Sequence, residues 1–271
     1  MPFLLPMIVL SAVFFVAPLV LLAFISFTNS DGFGTLQNYA EFLSDDFSVS
    51  VLLDTLRLGA FAVAGTTIIG VPIVLLHWHS GRRMRHFLVI FILLPMLTSN
   101  VVRTFAWIVI LGREGLINRS LIFLGISDAG IPLLFTEAGL VMALCQTELP
   151  LFILPVLAVM TRINRELVDA AEVSGAGPWR IFATILLPLS LPGVLAGWVL
   201  VFASATTSYV TQVAIGGARH IYLPQLIYRE VGILFNWPFA AALSLMLLLV
   251  TGSVIFGLAM LSRNRRLTTH A

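Results

Sequence analysis

Residues 169–193 read DAAEVSGAGPWRIFATILLPLSLPG, a polar, turn-forming half followed by an apolar half. Together with the residues just before them, they predict a helix–turn–helix. Asn164 suits the N-cap of a first helix, which carries Glu166 in its first turn. Gly175 suits the C′ position, where a left-handed backbone ends a helix. Pro178 suits the first position of a second helix, where its missing N–H costs nothing.

The composition of this motif indicates what it contacts. Pro188 and Pro192 mark the predicted bend at which the second helix enters the membrane. The first helix combines small and acidic side chains, namely Asp169, Ala170, Ala171 and Glu172. Small side chains permit close approach by another protein, and the charges of the acids help to fix the orientation of that contact. The motif is predicted to be a docking surface; the alternative is an ordinary amphipathic connector.

The rest of the chain is too apolar for a soluble protein. Of its 271 residues, 59% are hydrophobic and 10% are charged, and the mean hydropathy is +1.03. A soluble domain carries roughly 25% charged residues. Segments of about 20 apolar residues cross a bilayer as helices, whereas barrel strands alternate polar and apolar residues, which FLVIFILLPML (87–97) does not. The fold is therefore predicted to be an all-α polytopic membrane protein, a single domain over 1–271. Six spans are predicted, at about 3–28, 57–77, 87–111, 136–160, 184–209 and 235–261.

The charges of the connections predict the orientation. Arginines are concentrated in the second-to-third and fourth-to-fifth connections and in the tail: Arg82, Arg83 and Arg85; Arg162, Arg165 and Arg180; Arg263, Arg265 and Arg266. The first connection on the other side is acidic, with Asp31, Glu41, Asp45, Asp46 and Asp54. The positive-inside rule then places both termini and the loop at about 161–184 in the cytoplasm. The outer connections are about 29–55, 112–135 and 210–234, and RHIYLPQLIYREV (219–231) is expected to form a short surface helix.

Several classes of enzyme are excluded by residue type. All 15 basic residues are arginines, so the chain has neither the lysine of a phosphate-binding P-loop nor that of a Schiff-base enzyme. The lone Cys145 lies in an apolar run and suits packing. His77, His79 and His86 match no closed set of metal ligands, so no metal site is predicted. No serine has a base at the spacing of a nucleophile, and the chain is predicted not to be an enzyme.

The 169–188 segment resembles the EAA loop of the permease subunits of bacterial ABC importers. The pattern is Asp169-Ala-Ala, three residues, Gly175, nine residues, then Ile185-x-Leu-Pro188. The one departure is Asp169, where the family usually has glutamate. LLPMLTSNVVRTFAWIVILGREGLIN (94–118), SYVTQVAIGG (208–217) and NWPFAAALS (236–244) extend the likeness to the spermidine/putrescine branch of these permeases.

This resemblance implies a fold, partners and a role for the loop. The fold is the type-I ABC importer permease fold of about six helices. The partners are a second permease, two ATPase subunits and a substrate-binding protein outside a bacterial inner membrane. ATP and Mg belong to the partner ATPase, and no cofactor is expected in this chain. The residues implied to contact the ATPase are Asp169, Ala170, Ala171, Glu172, Gly175, Ala176 and Trp179.

Polar residues inside the spans are candidates for the substrate pathway. Glu148 lies well inside the fourth span, where an acid is costly and usually faces a cavity, a partner or a pathway. A carboxylate there would suit a cationic substrate; a structural, hydrogen-bonded acid is the equal alternative. For Arg103 in the third span, the alternatives are snorkelling to an interface, pairing with an acid such as Glu148, or lining the cavity; structural anchoring is favoured. Asn100, Trp107 and Tyr209 are further candidates, on polarity and family likeness.

The function predicted from the sequence is that of a non-catalytic subunit in ATP-driven import. A polyamine such as spermidine or putrescine, or a similar small organic cation, is the expected substrate, moved by alternating access. An ABC importer permease for another small solute, such as an amino-acid derivative, is the first alternative. A secondary transporter is more distant, because it would need its own ion-coupling site in the membrane.

Overall fold

The computed structural model describes residues 4–29, 32–217 and 219–266. Within these ranges the chain is helical except for loops and one small hairpin, in which β1 (Thr28–Asn29) pairs antiparallel with β2 (Gly32–Phe33). The prediction of an all-α membrane fold is confirmed apart from this hairpin.

Thirteen α-helices lie within the described residues. In chain order they are α1 (Leu4–Ser26), α2 (Gln37–Ser44), α3 (Asp46–His79), α4 (Arg82–Leu93), α5 (Asn100–Leu111), α6 (Leu116–Phe123), α7 (Glu137–Met160), α8 (Arg165–Val173), α9 (Pro178–Ile181), α10 (Leu187–Thr207), α11 (Tyr209–Thr211), α12 (Leu223–Gly232) and α13 (Trp237–Arg266). A 3₁₀ turn lies at Leu94–Leu97, and π-helical turns lie at Phe182–Leu186 and Gln212–Gly216.

Four of the described helical stretches are long and apolar enough to cross a bilayer. They are Asp46–His79, Glu137–Met160, Pro178–Thr207 and Trp237–Met260. A fifth is added if the bent pair Arg82–Leu97 and Asn100–Phe123 is one broken span, and a shorter apolar helix lies at Leu10–Ser26. The count of six spans and the cytoplasmic side of both termini remain predictions.

The third predicted span, 87–111, is not one straight helix. The helical stretches on either side of residues 98–99 are bent by 100° relative to each other. Pro95 supplies no N–H to the helix, and Thr98 and Ser99 adopt extended backbone angles. The Pro95 carbonyl accepts bonds from both the Thr98 N–H, at 3.2 Å, and the Thr98 hydroxyl, at 2.7 Å, and these bonds close the last turn before the break. Hydropathy averaged over the segment conceals this break.

The described chain divides into two compact units, residues up to 55 with 221–252, and 56–220 with 253 onwards. In the first unit, the Ser26 hydroxyl and the Tyr39 hydroxyl are 2.7 Å apart, and the buried Asn38 amide donates to the Ser26 and Thr28 carbonyls. These bonds tie the end of α1 to α2. The prediction of one functional domain stays a prediction.

The predicted outer connection at about 210–234 contains ordered, buried structure. Residues 210–216 are helical, and Gln212 is fully buried there. RHIYLPQLIYREV contains α12 as expected, but this helix buries Leu223, Leu226 and Glu230. The polar residues of these segments lower their hydropathy, so hydropathy alone places them between spans and does not show that they are buried.

The core of the second unit is the contact between α7 and α10, which approach closely at glycines. A Cβ atom added at Gly193 of α10 would lie 2.8 Å from the Pro155 carbonyl oxygen of α7. One added at Gly197 would lie 3.0 Å from the Phe152 carbonyl oxygen. Small residues at helix contacts are typical of membrane proteins, where van der Waals contact replaces the hydrophobic effect between helices. On α3, Gly65 likewise faces Cys145, so this cysteine serves packing, as predicted.

Candidate functional site

The 161–184 loop is shaped by its own capping bonds. The Asn164 side chain accepts a bond from the Glu166 N–H at 3.1 Å, which caps α8. At the other end, Gly175 has φ +80°, and the Ala176 N–H donates to the Ala171 carbonyl at 3.0 Å. This pattern is a Schellman C-cap. Pro178 opens α9, so the predicted helix–turn–helix is confirmed.

The residues predicted to contact an ATPase lie on an exposed surface. No residue of α8 is buried, and Asp169, Ala170, Glu172, Gly175 and Trp179 are exposed. Ala171 and Ala176 are half-buried. The structure thus brings this set together on one loop; contact with a partner stays a prediction.

Apolar side chains also lie on this surface. Val173 is 90% exposed and Trp179 is 77% exposed, and the Trp179 ring lies 5.5 Å from the ring of Phe182. Large exposed apolar side chains beside acids are typical of a surface that another protein covers. Val173 is not among the residues predicted from the sequence to contact an ATPase.

The expected bend at Pro188 and Pro192 takes a different form. Both prolines lie within one continuous helical stretch, Pro178–Thr207. The irregularity is the π turn at Phe182–Leu186, in which the Leu187 N–H bonds the Phe182 carbonyl, five residues earlier. A π turn immediately before a proline accommodates the ring and the missing N–H without ending the helix.

A second candidate site is a group of polar side chains where α5, α7 and α10 meet. Glu148 of α7 is 3% exposed and forms a side-chain hydrogen bond with Ser204 of α10. Arg103 of α5 donates from Nη1 to the Thr147 carbonyl at 3.4 Å, while its buried Nε has no hydrogen-bond partner. The structure therefore brings Arg103 close to Glu148, and these residues with Thr147 and Ser204 are called the polar cluster.

Trp107 joins the polar cluster through a neighbouring residue. Its Nε1–H donates to the Gln146 Oε1 at 3.0 Å, so the indole is positioned by the residue two before Glu148. Ser204 is not among the predicted pathway residues, because its only signal in the sequence is a hydroxyl within an apolar span. The buried contact between the Thr104 and Thr211 hydroxyls, whose oxygens are 3.3 Å apart, was not predicted either.

The two remaining pathway candidates lie beside the cluster. Asn100 is the first residue of α5, is exposed, and accepts at its carbonyl a bond from Thr104. Tyr209 is the first residue of α11 and is half-buried. The roles of all five candidates stay predictions. Within the described ranges, no group of three or more His, Cys, Asp or Glu side chains is arranged to hold a metal ion.

Comparison with known proteins places this geometry in a family. Residues 69–267 match the family described as "Binding-protein-dependent transport system inner membrane component". The spermidine/putrescine transport system permease protein PotB of Haemophilus influenzae is 30% identical over 251 residues, which cover 90% of this chain and 87% of that protein. The putative 2-aminoethylphosphonate transport system permease protein PhnU of Salmonella typhimurium is 26% identical and covers 89% of this chain and 85% of its own length.

A solved structure shares the fold. It is a bacterial alginate ABC transporter in complex with an alginate pentasaccharide-bound periplasmic protein, with a TM-score of 0.78 at 18% identity, covering 97% of this chain and 93% of the other. The long family match, the relative at 30% identity and the shared type-I importer fold agree. The chain belongs to the binding-protein-dependent inner membrane components, the permease subunits of ABC importers.

Proposed function

We propose that this permease subunit imports a small organic cation of the polyamine class. The observation that carries the proposal is the 30% identity, over 90% of the chain, to a permease named for spermidine and putrescine transport. The buried carboxyl of Glu148 supports it, because an acid inside a membrane span is expensive and is usually retained for function.

The electrostatics of the polar cluster suit a cationic solute. Among the described residues, no ion pair within 4 Å joins Arg103 to Glu148. Arg103 instead donates to a backbone carbonyl, and Glu148 has Ser204 as its side-chain partner. A carboxylate without a direct cationic partner is a ready counter-ion for an ammonium group. The aromatic Trp107, anchored by Gln146, adds a ring face that can attract an organic cation.

The proposed driving force is the hydrolysis of ATP by partner subunits, which also bind the Mg ion. Two ATPase subunits, a second permease and an external binding protein complete the proposed assembly, in a bacterial inner membrane. The exposed 161–184 loop, with its acidic and apolar residues, is the proposed ATPase contact, and this chain is non-catalytic. Closure of the ATPases would move the loop and reorient the spans in alternating access.

Uptake by the whole importer tests the substrate class. Labelled putrescine uptake is measured in proteoliposomes that contain the complete assembly with wild-type chain, with Glu148→Gln, or with Glu114→Gln. Glu114 is an exposed acid and serves as the matched control. Glu148→Gln is expected to lower uptake at least several-fold at unchanged assembly, and Glu114→Gln to leave it unchanged. Equal uptake by all three would remove Glu148 from the pathway.

The same preparation distinguishes the other solutes. A wild-type assembly that takes up an amino-acid derivative but no polyamine would favour the first alternative, for which the likeness to a permease named for 2-aminoethylphosphonate transport is the supporting observation. Accumulation of solute by this chain alone, without ATP or companion subunits, would instead indicate a secondary transporter and would end the proposal.

A further inference from the structure

A pocket of about 320 Å³ lies where four helices of the second unit end or begin. Trp78 at the end of α3, Arg85 in α4, Thr161 after α7 and Arg165 at the start of α8 line it. Its inner wall is apolar and consists of Val74, Leu157 and Met160 from the long spans α3 and α7. The pocket therefore lies at the end of two membrane spans, in the two arginine-rich connections, and apart from the polar cluster.

Two guanidinium groups converge on one oxygen atom in this pocket. Arg85 donates from Nη2 to the Trp78 carbonyl at 3.0 Å, and Arg165 donates from Nη2 to the same oxygen at 3.3 Å. Arg85 Nε also donates to the His77 carbonyl at 3.2 Å. The Arg165 guanidinium lies 5.3 Å from the centre of the Trp78 ring. These bonds cap the last carbonyls of α3. A cation at the C-terminus of a helix also stabilises the helix through its dipole.

Capping leaves most of the N–H donors unused and supplies no carboxylate counter-ion for either guanidinium group. An arginine has five N–H donors, and these contacts use two of Arg85 and one of Arg165. Within the described ranges, no carboxylate lies within 4 Å of either guanidinium as an ion-pair partner. The neighbouring acid Glu166 accepts a bond from the Asn164 side chain at 2.9 Å instead. Two like charges held together without a counter-ion favour an anion between them.

We propose that this pocket binds the phosphate group of an anionic lipid headgroup. Guanidinium groups bind phosphate through paired, charge-assisted hydrogen bonds. The apolar inner wall belongs to membrane spans, and tryptophan is enriched at the membrane–water interface, where headgroups lie. The exposed Arg82, Arg83 and Arg162 flank the pocket and add attraction for an anionic surface. A lipid in this position would bridge the ends of α3 and α7 to the beginning of the 161–184 loop.

Lipid retention by the purified full-length chain tests the proposal. Native mass spectrometry measures the binding of phosphatidylglycerol and of phosphatidylcholine to wild type, to Arg85→Gln/Arg165→Gln and to Arg82→Gln/Arg83→Gln. The first double variant is expected to lose about tenfold or more in phosphatidylglycerol affinity, and the second, which removes the same charge from outside the pocket lining, to lose less than about threefold. Phosphatidylcholine binding is expected to be weak and equal in all three.

Further arms separate the lipid from other sources of the effect. Arg85→Lys/Arg165→Lys keeps the charge and is expected to recover part of the affinity. If the double Gln variant does not fold, Arg165→Gln alone, which removes the single bond at 3.3 Å, is expected to give a smaller loss in the same direction. Equal losses in both double variants would reduce the effect to general surface charge and overturn the proposal. Displacement of the lipid by millimolar inorganic phosphate would indicate a free-phosphate site and would also overturn the proposal. Displacement of the lipid by the ATPase subunit would indicate a protein contact, with the same consequence.

Discussion

The 161–184 loop and the α7–α10 contact are ordered by opposite means. In the loop, α8 has no buried residue, and its shape comes from local bonds at Asn164 and Gly175. Between α7 and α10, backbones approach so closely that Gly193 and Gly197 have no room for a Cβ atom. Each local bond contributes about 1 kcal/mol to stability and can be lost separately. The residues of a packed contact lose their contacts together when the helices separate. The loop that is proposed to move and to bind a partner is thus held by local bonds, on a body that is held by close packing.

The largest effect is expected from filling the α7–α10 contact. Gly193→Val would place its Cβ 2.8 Å from the Pro155 oxygen and 2.9 Å from the Val156 Cα, so the helices would have to separate. Overpacking of this kind costs roughly 1–3 kcal/mol or more. Thermal unfolding of the purified chain in detergent is expected at a clearly lower temperature. Gly257→Val, where a Cβ meets nothing within 4 Å, is the control; equal midpoints for the two variants would mean that the close contact is not a determinant of stability.

A smaller and more specific effect is expected in the loop at Gly175. Its φ of +80° is unfavourable for any residue with a Cβ by about 1–2 kcal/mol, although the space around it is open. Gly175→Ala is therefore expected to weaken ATPase binding by about 5- to 30-fold and to leave the unfolding temperature of the spans unchanged. Gly177→Ala, at φ −70° and also in open space, is the matched control. A titrated pull-down of the ATPase measures both, and similar affinities would show that the loop's shape does not determine docking.

Removing the N-cap at the other end of α8 is expected to have less effect. Asn164→Ala deletes the acceptor for the Glu166 N–H, which costs about 1 kcal/mol of helix stability. ATPase affinity is expected to fall by about fivefold at most, and Asn164→Asp, which keeps an acceptor, is expected to restore it. A loss that Asp does not restore would assign Asn164 to direct contact with the partner.

The smallest effect is expected from a similar cap at the start of α3. The Ser48 hydroxyl donates to the Asp45 carboxylate at 2.6 Å, and this bond lowers the pKa of Asp45 below its ordinary value of 3.8. Because the folded chain holds the charged form, the stabilisation is present above pH 3.8 and is lost as the pH falls through the lowered folded value. The unfolding temperature of wild type is expected to decline slightly more than that of Asp45→Asn between pH 5 and pH 3. Parallel pH curves would contradict this account.

The local chemistry of the loop could be predicted from the sequence, because caps depend on neighbouring residues. Asn164, Gly175 and Pro178 each take the predicted position. The prediction of one helix over 87–111 was wrong, because hydropathy sums apolar residues and does not detect the break after Pro95. The polar cluster was predicted in part: Glu148 and Arg103 are conspicuous as charges, whereas the bond from Glu148 to Ser204 depends on how α7 packs on α10, which periodicity does not determine.

The number of residues in the π turn at Phe182–Leu186 affects the geometry of the helix. Each residue of an α-helix advances the chain by about 100° around its axis, and a π turn holds one residue more than an α turn. Deleting one residue there would restore regular α winding and leave Trp179 at nearly the same azimuth around the α10 axis, whereas regular winding without a deletion would rotate Trp179, and everything before it, by about 100°. The π turn thus accommodates one additional residue without changing the direction in which the surface proposed to contact the ATPase points.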